Sequence, residues 1–76
     1  MSGLPTLSAN EIIKALVRTG FEVKRQSGSH IILVRQNPLP KRTVVIPSYS
    51  EIAKGTLLSI IRQTGINRDD FFKMFE

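Results

Sequence analysis

The stretch Gly20-Phe21-Glu22-Val23-Lys24-Arg25-Gln26-Ser27-Gly28-Ser29-His30-Ile31-Ile32-Leu33-Val34-Arg35-Gln36 decides the fold, because two patterns meet in it. Phe21, Val23 and Arg25 alternate with Glu22, Lys24 and Gln26, the period of two that a half-buried strand requires. Ser27-Gly28-Ser29 then supplies a tight turn. From His30 to Gln36 the chain is apolar on both faces, as suits the central strand of a small meander. A lone hairpin is marginal in water, so a further strand and covering helices are needed to complete it.

Both are present on either side. Downstream, Asn37-Pro38-Leu39-Pro40 breaks the strand, and Thr43-Val44-Val45-Ile46, β-branched throughout and ending at Pro47, reads as a third, antiparallel strand. After the turn-like Ser48-Tyr49-Ser50-Glu51, the spacing of Leu57, Leu58, Ile60 and Ile61 predicts a helix from Lys54 to Thr64 that stops at Gly65. Asn67 then caps a short third helix, with Ile66 and Phe71 as its hydrophobic staple; Phe72 and Phe75, at helical spacing, read as packing residues rather than a stacking platform. Upstream, Ser8-Ala9-Asn10-Glu11 is a capping box, Leu7 and Ile12 form its staple, and Gly20 supplies the stop. The predicted order is α-β-β-β-α-α: an α+β fold with helices packed on one face of a three-stranded antiparallel sheet.

The chain has 76 residues and no Cys, so one small core, without disulfides or thiolate metal sites, must carry the stability. A chain this short buries only about 60% of the surface its unfolded form exposes, so nearly every long apolar residue must contribute. Such a chain is too short for a cofactor-domain enzyme. We expect a single domain over residues 1–76, with 1–7 a loosely ordered N-terminal segment. No apolar run approaches the roughly 18 residues of a membrane span, and the first residues lack the basic and apolar regions of a signal peptide, so a cytoplasmic site is expected. Eleven Lys and Arg against six Asp and Glu leave a formal charge of +5, with a pI near 10.3. That balance favours a polyanionic partner, nucleic acid first.

The single histidine is the first place to look for proton transfer near neutral pH. Strand parity across a two-residue loop places His30, Ile32 and Val34 on the face of Phe21, Val23 and Arg25, which is read here as the face the helices cover, with His30 at its rim. The start of the second strand also lies beside the end of the third, near Ile46 and Pro47, with the second helix just beyond. Helix N-termini attract anions, and Lys54-Gly55-Thr56 adds a cation, an open backbone approach and a hydroxyl. His30, Arg25 or Lys24, and Lys54 with the Gly55-Thr56 backbone can therefore surround one phosphate. The alternatives are a strand-end histidine bonded to a backbone carbonyl and an ordinary helix start. No common zinc site can be built from one His without Cys, and the carboxylates form no cluster by spacing, so neither metal nor cofactor is expected.

The run from Gly20-Phe21 to Gly28-Ser29-His30, followed by Val45-Ile46-Pro47, Lys54-Gly55-Thr56-Leu57 and Ile60-Ile61-Arg62-Gln63-Thr64-Gly65, resembles the HicA (YcfA-like) toxins over about Ser8 to Phe75. The resemblance implies a double-stranded-RNA-binding-domain-like fold, a ribonuclease acting on mRNA in a toxin-antitoxin system, and a HicB-type antitoxin as partner. It makes His30 the catalytic residue; beside it, Lys24, Arg25, Ser29, Lys54, Gly55, Thr56 and Tyr49 are the residues expected here to face RNA or its phosphates. Many members of the family place a His shortly after the Pro that follows the third strand, where this chain reads Pro47-Ser48-Tyr49-Ser50: a catalytic role for that His would require Tyr49 or a Lys to substitute here, whereas a structural or RNA-facing role would require nothing. Two other functions fit the same residues: a non-catalytic RNA-binding module, or a small protein-interaction domain.

Overall fold

α1 (Ala9–Arg18) starts where the capping box puts it. Ser8 Oγ accepts from the Glu11 N–H at 3.1 Å, and Glu11 Oε1 accepts from the Ser8 N–H at 2.8 Å. The helix ends at Thr19, and Gly20, at φ 105°, turns the chain so that Phe21 drops into the core. The computed structural model describes residues 6–75, and beyond α1 it holds β1 (Glu22–Ser27), β2 (His30–Arg35), β3 (Arg42–Pro47), α2 (Lys54–Thr64) and α3 (Arg68–Lys73). The three strands form one antiparallel sheet in the order β1-β2-β3. Of the expected loose N-terminal segment, residues 1–5 lie outside the described residues; Leu7 is buried in the core.

The helices pack on one face of the sheet. Ile12 and Leu16 of α1, Leu57, Ile60 and Ile61 of α2, and Phe71 of α3 meet Ile31, Leu33, Val44 and Ile46 from the strands. In register, Ile31 lies opposite Ile46 and Leu33 opposite Val44. The covered face is thus the one opposite to that expected from the sequence: His30, Ile32 and Val34 belong to the open face. β2 is apolar on both faces, so its own pattern cannot choose between them. The burial of β3 shows which face is covered: Thr43 and Val45 are exposed while Val44 and Ile46 are fully buried.

A bulge breaks the parity of β1 as well. Arg25 pairs with Ile32, but Val23 pairs with Leu33 and Glu22 with Val34, which leaves Lys24 as the extra residue. Phe21 and Arg25 therefore do not share a face, although Arg25 and His30 do. Such a bulge re-aims side chains at the cost of one ladder step.

The connection from β3 to α2 is held by backbone hydrogen bonds rather than by packing alone. Ser48 N–H donates to Ser29 O at 2.6 Å, which extends the sheet ladder past His30. Ala9 N–H donates to Tyr49 O at 2.9 Å and Ile52 N–H to Leu7 O at 2.8 Å, so the segment is anchored to the start of α1. Thr64, buried at the end of α2, satisfies its hydroxyl by donating to Ile61 O and accepting from the Ile66 N–H.

Candidate active site

β3 is an edge strand, and α2 rather than another strand closes its outer side. Gln63 Oε1 accepts from the Val45 N–H at 2.8 Å, and Gln63 Nε2 donates to Ser59 Oγ at 3.2 Å. This side-chain bridge lays α2 along β3, and the seam between them widens into a cleft of about 490 Å³ at the His30 end. One wall carries His30, Val45, Pro47 and Tyr49; the other carries Gly55, Thr56, Ser59, Ile60 and Gln63.

His30 sits in the first rung of β2, between Ser27 and Pro47. It is exposed, and no hydrogen bond among the described residues engages its imidazole. Those observations do not describe a strand-end histidine bonded to a backbone carbonyl. Both ring nitrogens are available to a ligand in the cleft.

The opposite wall begins at an uncapped helix. α1 and α3 each have a side-chain N-cap, Ser8 and Asn67, but the N-cap of α2 is Ala53, with no side-chain cap and no acidic residue in the first turn. Backbone N–H groups there, together with the helix dipole, favour an anion. A Cβ at Gly55 would meet nothing within 4 Å, so this position is open space beside the cleft rather than a packing requirement.

Of the residues expected at the site, the structure brings together His30, Tyr49, Gly55 and Thr56. Ser29 adjoins His30 in the hairpin loop, where its carbonyl holds Ser48. Arg25 shares the open face with His30 but stands opposite Ile32, further along the sheet. Lys54 opens α2 next to Gly55 without lining the cleft. Lys24 is separated from it: its ammonium pairs with Glu22 at 3.3 Å, and it lines a different cavity near the far end of β2. The cleft walls thus contain no Lys or Arg, and their anion-attracting element is the α2 backbone. Ser59 and Gln63 were not expected. Thr56, Ser59 and Gln63 recur at helical spacing as a polar stripe along α2, the one signal that pointed to them.

No group of three or more His, Cys, Asp or Glu side chains among the described residues is placed to hold a metal ion. None of their helices is long and apolar enough to cross a membrane.

A three-stranded antiparallel sheet with its helices on one face, in the order α-β-β-β-α-α, defines an α+β domain of the double-stranded-RNA-binding-domain-like kind. A family model described as "HicA toxin of bacterial toxin-antitoxin" matches residues 9–66, which include every residue lining the cleft. The chain belongs to the HicA toxin family, and so to the toxins of bacterial toxin-antitoxin systems. No curated protein matches it.

Proposed function

We propose that this toxin is a cytoplasmic endoribonuclease that cuts mRNA without a metal ion, with His30 as its proton-transfer group, and that a HicB-type antitoxin silences it. The observation that carries this reading is the cleft itself: an exposed, unengaged imidazole on one wall and an uncapped helix N-terminus on the other.

A phosphodiester seated at the first turn of α2 meets backbone N–H groups and the Thr56 hydroxyl. His30 then takes the proton from the ribose 2′-hydroxyl, whose oxygen attacks the adjacent phosphorus while the bond to the 5′ oxygen breaks. Charge developing on the phosphoryl oxygens is stabilised by N–H donors already fixed in place. The leaving oxygen needs a proton, and Tyr49, the other ionisable side chain lining the cleft, supplies it. Imidazolium and phenolate then exchange the proton through solvent, restoring the enzyme. Lys54 and Arg25 act outside the cleft as contacts for flanking phosphates. An antitoxin with an acidic face would cover His30 and the start of α2, favoured by the +5 charge of the chain.

This chemistry needs the 2′-hydroxyl and no metal, which sets the test. RNA incubated with the purified protein should be cut equally well with and without EDTA, leaving 2′,3′-cyclic phosphate ends. The same oligonucleotide carrying 2′-deoxyribose at the cut position should survive. Activity lost in EDTA and restored by magnesium, or cleavage at the deoxyribose, would overturn the mechanism.

A further inference from the structure

The cavity that holds Lys24 lies on the same open face of the sheet as His30, at its other end. It has a volume of about 400 Å³ and is lined by Gly20, Glu22, Lys24, Val34, Gln36 and Asn37. Its floor is Val34, an apolar side chain only 9% exposed although no helix covers it. Its walls are two primary amides, a carboxylate and the Lys24 ammonium paired with it, groups that read hydrogen-bond patterns. The size and composition suit a flat, polar-edged ring.

The bulge in β1 makes this arrangement. Had β1 continued in regular register from Arg25, opposite Ile32, Glu22 would point to the helix-covered face. With Lys24 as the extra residue, Glu22 pairs with Val34 and joins Arg25 on the open face. The Lys24–Glu22 ion pair is exposed, at 49% and 73%, so it contributes little and exchanges readily for contacts to a ligand. Arg25, opposite Ile32, lies on the same face between the cavity and His30.

We infer that this cavity is a second substrate subsite, which binds one nucleobase of the RNA strand at a distance from the cut; the inference rests on the ribonuclease reading of the His30 cleft. From His30 to Val34 β2 advances about 13 Å. At the ~3.4 Å rise of stacked nucleotides, that distance is about four positions, and fewer for an extended strand. A strand cut at His30 therefore passes its backbone over Arg25 and places a base two to four positions away on Val34. Glu22 accepts from an exocyclic amino group there, and the Gln36 and Asn37 amides complete the edge. Adenine, cytosine and guanine carry such a group; uracil does not. The subsite thus favours those three bases over uracil, whose N3–H is the only donor it can offer Glu22, at one fixed position.

The test uses the full chain and a series of oligoribonucleotides with one cleavable ribose, the others being 2′-deoxy, in which an abasic residue is moved position by position away from the cut. kcat/KM should fall about tenfold when the abasic residue stands at one position two to four from the cut, and a 2′-deoxyuridine there should cost a smaller factor. The Glu22→Gln/Asn37→Ala variant should lose a similar factor on the intact substrate and be insensitive to the abasic residue. A flat profile in the wild type, or losses from variant and abasic residue that multiply, would overturn the subsite. Binding of the same series to the His30→Ala variant provides a second readout: affinity should dip at the same position. If the wild type binds RNA but never cuts it, the ribonuclease reading fails, and the binding profile alone decides the subsite.

Discussion

Gly55, in the first turn of α2, and Gly65, its C-cap, lie ten residues apart and impose opposite demands. At Gly65 the chain adopts φ 74°, and a Cβ would lie 2.6 Å from the Arg42 guanidinium carbon. Arginine can shift, but the left-handed backbone costs an L-residue about 1–2 kcal/mol. Gly65→Ala should therefore lower Tm while sparing the cleavage rate of the folded protein. At Gly55 neither constraint applies: φ is ordinary and the space is empty. Glycine there costs the helix about 0.5–1 kcal/mol relative to alanine. Gly55→Ala should raise Tm by about 2–8 °C and at the same time reduce RNA binding and cleavage, because the methyl group enters the space where a phosphate would approach the backbone. A melting curve and a cleavage assay on each variant check both statements; a stabilised Gly55→Ala protein that cuts RNA at the wild-type rate would remove this backbone from the site.

The elements repeat that contrast. α1 and α3 are preceded by side-chain N-caps, whereas the N-cap of α2 is Ala53, at φ −64° and ψ 152°, a cap conformation without a cap side chain. An aspartate at that position is geometrically suited to accept from the first-turn N–H groups. Ala53→Asp should stabilise the fold by about 1 kcal/mol, read as a rise in Tm, and should weaken RNA binding, because its carboxylate occupies and neutralises the anion site. A variant more stable and equally tight for RNA would contradict the account.

Capping boxes, glycine stops and the apolar stripe of α2 were legible in the sequence because each is a local pattern with a local cause: Ser8 to Glu11, Asn67 to Asp70, and Lys54 to Thr64 all form as the residues suggest. The covered face of the sheet was not legible. Ile31 and Leu33 alternate with Ile32 and Val34, so β2 would satisfy either choice, and the decision falls to packing against helices distant in sequence. Nor does the bulge at Lys24 leave a sign, since Glu22 to Gln26 alternate acceptably with or without it. His30, Gly55 and Thr56 nonetheless line one cleft, whereas the bulge carries Lys24 to a different cavity.

At the scale of the whole molecule, the proposed RNA binding would draw on the +5 charge through flanking contacts, because the cleft walls carry no Lys or Arg. Affinity for single-stranded RNA should fall steeply with salt, by a log-log slope of about −0.7 for each phosphate neutralised. Lys54→Ala should make that slope shallower by about 0.7 and weaken binding to RNAs of different sequence to a similar degree. An unchanged slope, measured by fluorescence anisotropy across a salt series, would place Lys54 off the RNA path.

The central claim is that His30 moves the proton in this cleft. The most direct measurement compares the cleavage rate of His30→Ala with that of the wild type on one RNA, with thermal stability and RNA binding determined on the same preparations. Because His30 is exposed and no hydrogen bond among the described residues engages its ring, its replacement should change stability by no more than about 0.5 kcal/mol. RNA binding should persist, and the cleavage rate should fall by about 10²–10⁴-fold. A variant equally stable and equally able to bind RNA, yet cutting at the wild-type rate, would contradict the account.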